Sequence, residues 1–229
     1  MGEKPWQETL PHYLDHTVLR PEATKADVLR LCAEAKDRGF VVIFVPPCYV
    51  DEAVAAVAGT EVQVGIPIGF PLGGHSTHAK VTEALEAVAH GARVLDMVIN
   101  ISRLKSGDYD LVRSDMAAVV HATPGVNHKV ILETCLLTRE EKITACHLAV
   151  EAGMDYVKTS TGFNQAGATV EDVRLLKETV AGRAKVKASG GIRDWKATRE
   201  LLEAGADRIG TSASLKILDE WRAACLAGR

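Results

Sequence analysis

Two lysines and an aspartate carry the clearest chemistry in this sequence. Lys158 stands in Tyr156-Val157-Lys158-Thr159-Ser160, and Lys187 in Val186-Lys187-Ala188-Ser189-Gly190-Gly191. Each closes a short run of β-formers, so each reads as the end of a strand. Neighbouring strands lie about 4.8 Å apart, close enough for two strand-end ammonium groups to repel. Repulsion and burial both make a lysine easier to deprotonate. At an ordinary pKa near 10.4, only about one lysine in 2,500 is neutral at pH 7. A depression of about three units makes half of them neutral, at a cost of about 4 kcal/mol. A neutral lysine in a pocket attacks carbonyl carbon, the first step of Schiff-base chemistry. The plainer reading is two lysines snorkelling to water. Lys185 has the same strand parity as Lys187, and Lys187 is preferred because it adjoins the glycine loop. Asp96 interrupts an apolar strand, Leu95-Asp96-Met97-Val98, and shares a face with Val94 and Val98. A buried carboxylate needs a partner. Lys158 or Lys187 could supply it, either as a proton relay or as a structural ion pair.

Glycine loops form the second constellation. Gly190-Gly191 and Gly210 let backbone N–H groups approach an anion closely. Thr211 and Ser212 add hydroxyls where the last helix begins and its dipole favours negative charge. A phosphate monoester is the expected ligand.

The elements that must hold these residues alternate. Strands are expected at residues 14–17, 41–45, 62–68, 93–99, 129–132, 155–158, 184–188 and 207–210. Helices are expected at 24–38, 49–57, 78–90, 109–121, 138–151, 169–180, 194–203 and 212–226. Thr24 and Asp194 read as caps, Thr138 with Glu141 as a capping box, and Gly39 as a helix stop. About eight strand–helix units of about 28 residues each imply parallel strands and a (β/α)8 TIM barrel. The alternative is an open doubly wound sheet, whose usual Gly-x-Gly-x-x-Gly after the first strand is absent. No linker or low-complexity segment divides the chain, so residues 1–229 are expected to form a single domain. In such barrels the active site sits at the C-terminal ends of the strands, where Lys158, Lys187 and both glycine loops fall.

Composition narrows the class. The 229 residues are 47% hydrophobic and 25% charged, with a net charge of −3. That balance excludes overall disorder and gives no electrostatic footprint for nucleic acid or an anionic membrane. No apolar run has the length of a membrane span, and the segment from Met1 to Trp6 lacks the apolar stretch of a signal peptide. Trp6 stands where a myristoylation motif wants Ser or Thr. Five widely spaced cysteines suggest reduced thiols, and the expected compartment is the cytoplasm.

With these residues in view, the sequence resembles the class I, Schiff-base 2-deoxyribose-5-phosphate aldolase family. The resemblance rests on Leu14-Asp15-His16-Thr17, Ile68-Gly69-Phe70-Pro71-Leu72-Gly73, Leu95-Asp96-Met97-Val98-Ile99-Asn100 and Lys129-Val130-Ile131-Leu132-Glu133-Thr134-Cys135. It continues through Tyr156-Val157-Lys158-Thr159-Ser160-Thr161-Gly162-Phe163, the Lys187 motif to Arg193, and Arg208-Ile209-Gly210-Thr211-Ser212. The resemblance implies that Lys158 forms the Schiff base, that Lys187 tunes it and assists proton transfer, and that Asp96 donates and accepts protons with water. It implies a phosphate site at Gly162, Gly190, Gly191, Gly210 and Ser212. The implied reaction is reversible cleavage of 2-deoxy-D-ribose 5-phosphate into D-glyceraldehyde 3-phosphate and acetaldehyde, in deoxyribonucleotide catabolism. No metal or organic cofactor is implied, since the iminium is the electron sink. The implied assembly is a homo-oligomer, a dimer or larger.

Four positions depart from the family pattern. Phe44 and Pro46 stand where many relatives have Cys and Asn, and Ser214-Leu215 replaces a frequent Gly-Val. These bear on substrate range more than on reaction type. His75 and His78, three apart at a helix start, suggest a metal, but helix entry and loop polarity account for them. Glu133, at the end of the fifth strand, is expected to support the lysine network. Two rival functions are a class I aldolase for another sugar phosphate and an inactive barrel that binds phosphorylated ligands.

Overall fold

In a computed structural model, which describes residues 5–227, eight strands close into one parallel barrel in sequence order. The strands are β1 (Leu14–Thr17), β2 (Val42–Phe44), β3 (Gln63–Ile68), β4 (Val94–Val98), β5 (Asn127–Ile131), β6 (Tyr156–Lys158), β7 (Lys185–Ser189) and β8 (Arg208–Thr211). The barrel shuts where β1 pairs with β8, Leu14 opposite Ile209 and Asp15 opposite Gly210. The helices are α1 (Lys25–Arg38), α2 (Val50–Val57), α3 (Thr77–Ala89), α4 (Ile101–Lys105), α5 (Tyr109–Ala122), α6 (Arg139–Glu151), α7 (Val170–Val180), α8 (Trp195–Glu203) and α9 (Ser214–Ala227). The expected (β/α)8 barrel is therefore the observed one.

The local signals act as their chemistry dictates. Thr24 caps α1 in a reciprocal box with Asp27, and Gly39 ends it at φ 77°. The buried face of α1 is Val28, Leu31, Cys32 and Ala35, the spacing of one helical stripe. Thr138 and Glu141 form the same box on α6. Ser76 caps α3, so the His75–His78 stretch is a helix entry. β4 is buried along its whole length, as a strand inside a barrel and under helices must be.

Three differences from the sequence expectation have simple causes. α4 gives no sequence signal, because five residues are too few to show a helical period; Asn100 accepts from the Arg103 N–H and starts it. β5 begins at Asn127, two residues early, and α9 begins at Ser214, two residues late. Short helical turns at Pro5–Gln7 and Leu10–Tyr13 precede β1. The expectation for the chain start at Met1–Lys4 lies outside the described residues. Among the described residues no helix is long and apolar enough to cross a membrane.

Candidate active site

Strand alternation decides which side chains meet inside the barrel. Register sets Asp96 opposite Lys129, Lys158 opposite Lys187, and Lys187 opposite Arg208. These alternate positions share one face of each strand, and their side chains converge. Asp96 is fully buried and accepts three lysines: Lys187 Nζ at 2.7 Å and Lys158 Nζ at 2.8 Å on Oδ2, and Lys129 Nζ at 3.2 Å on Oδ1. Lys187 also lies 2.5 Å from Asp15 Oδ2, an ion pair without hydrogen-bond geometry. Asp15 Oδ1 accepts from Arg208 Nε at 2.6 Å. One chain of charge thus runs from Arg208 through Asp15 and Lys187 to Asp96, and on to Lys129 and Lys158.

The arithmetic of that chain sets its protonation. Four cations face two carboxylates, a net charge of +2 with every group ionised. The three lysines and both carboxylates are buried, so the excess is costly and the groups that can relieve it are the ammonium groups. Burial, with repulsion from the other lysines, overcomes the attraction of Asp96 and brings Lys158 down to about 8. Burial and Lys187 bring Lys129 to about 8 against the pull of Asp96. Burial alone would raise both aspartates. Arg208, Lys187 and Lys129 instead hold Asp15 down at about 2. Lys129, Lys158 and Lys187 hold Asp96 far below the usual carboxylate range. When Lys129 and Lys158 lose their protons, two cations face two carboxylates and the interior is neutral.

Access separates the lysines. A cavity of about 680 Å³ opens at the C-terminal end of the barrel. Lys158 lines it, whereas Lys129 and Lys187 are each 1% exposed and do not. Lys185 is exposed at the first residue of β7, whereas Lys187, two residues on, is buried and bonded to Asp96.

All five glycine-loop positions, Gly162, Gly190, Gly191, Gly210 and Ser212, line the same cavity. Gly190 and Gly191 have φ of 88° and 75°, a left-handed conformation that favours glycine. Gly210 also makes room for the neighbouring lysine stem, since a Cβ there would meet Lys187 Cε at 2.9 Å. Gly167, which carries no signal in the sequence, packs on Gly190, and a Cβ on it would lie 2.0 Å from the Gly190 carbonyl oxygen. Arg193 and Lys216 add positive charge to the rim, which also carries Arg20 paired with Asp27 at 2.6 Å.

Glu133 departs from its expected place. Its carboxylate is fully buried but accepts from the Thr161 N–H and hydroxyl and from Asn164 Nδ2. It therefore ties down the loop after Lys158 and makes no bond to the lysines. Lys80, also fully buried, spans Asp115 at 2.6 Å and the Val98 carbonyl at 2.9 Å, and fixes the end of the strand that carries Asp96. Sequence reasoning missed Lys129, Asp15 and Arg208 as parts of the network. Lys129 shares the parity of Ile131 in an apolar strand, the same signal that exposed Asp96.

A family profile described as DeoC/LacD family aldolase matches residues 9–220. The chain belongs to this aldolase family. A protein from Thermoanaerobacter sp. named deoxyribose-phosphate aldolase is 52% identical over 211 residues, covering 91% of this chain and 95% of its own. One of the same name from Brevibacillus brevis is 50% identical over 206 residues, covering 90% and 93%. A tetrameric deoxyribose phosphate aldolase from Aeropyrum pernix has a solved structure that superposes with a TM-score of 0.89 at 33% identity, covering 95% of this chain and 93% of that one. Of the clustered lysines, Lys158 ends β6 and reaches the cavity at the C-terminal end of the barrel, the end where enzymes of this fold bind substrates, whereas Lys129 and Lys187 lie mid-strand.

Proposed function

We propose that the protein catalyses the reversible cleavage of 2-deoxy-D-ribose 5-phosphate to D-glyceraldehyde 3-phosphate and acetaldehyde, with Lys158 as the Schiff-base residue. The observation that carries the reading is that, of the three lysines on Asp96, Lys158 is the one that lines the glycine-lipped cavity. The names of its half-identical relatives supply the substrate class.

On this reading, Lys158 supplies the amine throughout. Neutral Lys158 attacks C1 of the open-chain sugar, and the carbinolamine loses water to give an iminium. A base removes the C3 hydroxyl proton, the C2–C3 bond breaks, and its electrons pass into the iminium. D-Glyceraldehyde 3-phosphate leaves, and the enamine of acetaldehyde remains on Lys158. A proton returns to C2, and water hydrolyses the new iminium to free acetaldehyde and the amine. Asp96 accepts both Lys158 and Lys187 on one oxygen and so holds the two amines side by side at the inner end of the site. Gly162, Gly190, Gly191, Gly210 and Ser212 hold the phosphate end, assisted by the cationic rim.

We further assign a cytoplasmic homo-oligomer acting in deoxyribonucleotide breakdown, which light scattering of the purified protein would test for assembly. The decisive experiment is borohydride reduction in the presence of acetaldehyde, followed by peptide mass spectrometry. A two-carbon adduct on Lys158, absent from Lys158→Ala, is expected. An adduct on Lys187 alone would reverse the two roles. A folded protein with no adduct that still binds sugar phosphate would be the non-catalytic barrel.

A further inference from the structure

Phe44 stands at one of the positions where this chain departs from the family pattern, and its ring sits at the centre of the lysine cluster. The ring centroid is 3.9 Å from Lys187 Nζ, 5.2 Å from Lys129 Nζ and 5.6 Å from Lys158 Nζ. Phe44 is 1% exposed and packs with Val42 and Val94 inside the barrel. Its strand partner is Gly65. A Cβ on Gly65 would come within 2.6 Å of the ring's Cζ and 2.8 Å of both Cε atoms. Real side chains do not approach so closely, so the glycine leaves the space that the ring fills.

An aromatic face attracts a cation, and the attraction is strongest for a desolvated ion at short range. The three ammonium groups compete for that face. The charged groups around them are Asp15 on β1, Asp96 on β4 and Arg208 on β8, with Tyr156 of β6 beside Lys129 and Lys185. Lys187 has both carboxylates and the nearest approach to the ring. We propose that Phe44, housed by Gly65, is a positioning residue whose ring face holds the Lys187 ammonium group against Asp15 and Asp96, beside Lys158. This rests on the Schiff-base reading of Lys158. It assigns the Phe44–Gly65 pair a part in the reaction beyond filling the barrel.

The test varies the ring's electrostatics at nearly constant shape. Phe44→Leu removes the aromatic face, and 3,4,5-trifluorophenylalanine at position 44 weakens it while keeping the packing. Acetaldehyde trapping at Lys158 and kcat/KM for 2-deoxyribose 5-phosphate are followed from pH 6 to 10. Without the ring the Lys187 ammonium group is no longer held beside Lys158, the repulsion it exerts there falls, and the acid limb of both profiles moves up by about one pH unit. That is about a tenfold loss at pH 7, with convergence on the wild type above about pH 10. Gly65→Ala, which displaces the ring, is expected to shift the limb the same way and to add nothing to Phe44→Leu. Wild-type trapping at Lys158 with an unshifted fluorinated variant, or a loss equal at every pH, overturns the role of the ring. Absence of any wild-type adduct on Lys158 overturns the underlying reading and the proposal with it.

Discussion

Lys129 offers the sharpest check on the charge arithmetic, because it has no reaction step assigned to it. It shares Asp96 with Lys158, one on each carboxylate oxygen. Their ammonium groups are then roughly 5 Å apart, and at an effective dielectric constant of about 20 two full charges repel by about 3 kcal/mol. Lys129 itself titrates at about 8, so near that pH it carries half a charge on average. The repulsion felt by Lys158 is then about 1.5 kcal/mol, or about one pKa unit. Lys129→Met removes that repulsion and leaves Asp96 freer to attract Lys158. Both changes act in one direction, and Lys158 moves from about 8 towards about 9. At pH 7 its neutral fraction falls from about one in ten to about one in a hundred. The expected result is a tenfold lower kcat/KM at pH 7 that converges on the wild type above about pH 10. Steady-state cleavage assays across pH, with circular dichroism on the same samples, would measure it. A loss of equal size at every pH, on a folded variant, would refute the charge argument and leave Lys129 a packing residue. An unchanged profile would refute it as well.

Three further outcomes follow from the same geometry. Lys158 falls from 10.5 to about 8 on folding, so its charged form is destabilised below pH 8 and the penalty fades as pH rises from 8 to 10.5. Lys158→Met should therefore be inactive yet more stable at pH 7, by about 1–3 kcal/mol, with the gain vanishing above about pH 10.5 in denaturant titrations. Asp15 falls from 3.8 to about 2, so its contribution of about 2 kcal/mol is complete above pH 4 and is lost as pH drops through 2. Acid unfolding of Asp15→Asn should lack that step, and the variant should be weaker at pH 7 by about 3–5 kcal/mol because Arg208 and Lys187 lose their counter-ion. Gly190→Ala forces a side chain into left-handed backbone and within 3.0 Å of Gly167 Cα. It should raise KM for the phosphorylated sugar by about tenfold or more while acetaldehyde trapping at Lys158 continues, which separates the phosphate lip from the amine.

The barrel was legible because its signals are local and repeat. A cap, an apolar stripe and a glycine stop mark α1, and the same grammar recurs around the ring. Asp96, Lys158 and Lys187 were legible because ionisable side chains in apolar strands need an explanation. Lys129 gave that signal equally, but nothing in a single strand says that its ammonium group reaches the same carboxylate as Lys158. That fact belongs to the register between β4 and β5 and to the closure of the sheet. Asp15 and Arg208 are joined through the β1–β8 seam, a contact between residues 193 apart in sequence. Glu133 failed for a related reason: it ends a strand beside the lysines, yet a positive φ of 58° goes with a carboxylate committed to the following loop.

The number of cations around Asp96 answers a problem that two lysines alone would leave open. A carboxylate between two lysines would pair with one charge and leave the other ammonium group buried and unmatched, with a single excess charge to drive its deprotonation. A third lysine and an arginine push the interior to an excess that only deprotonation can relieve. Asp15 then binds Arg208 and Lys187, and these two cations match the two carboxylates. The protons that leave come from Lys129 and Lys158, both at about 8, and of these only Lys158 meets the cavity. Reactivity is thus set by a count of buried charges, and its position by which amine the barrel leaves within reach of substrate.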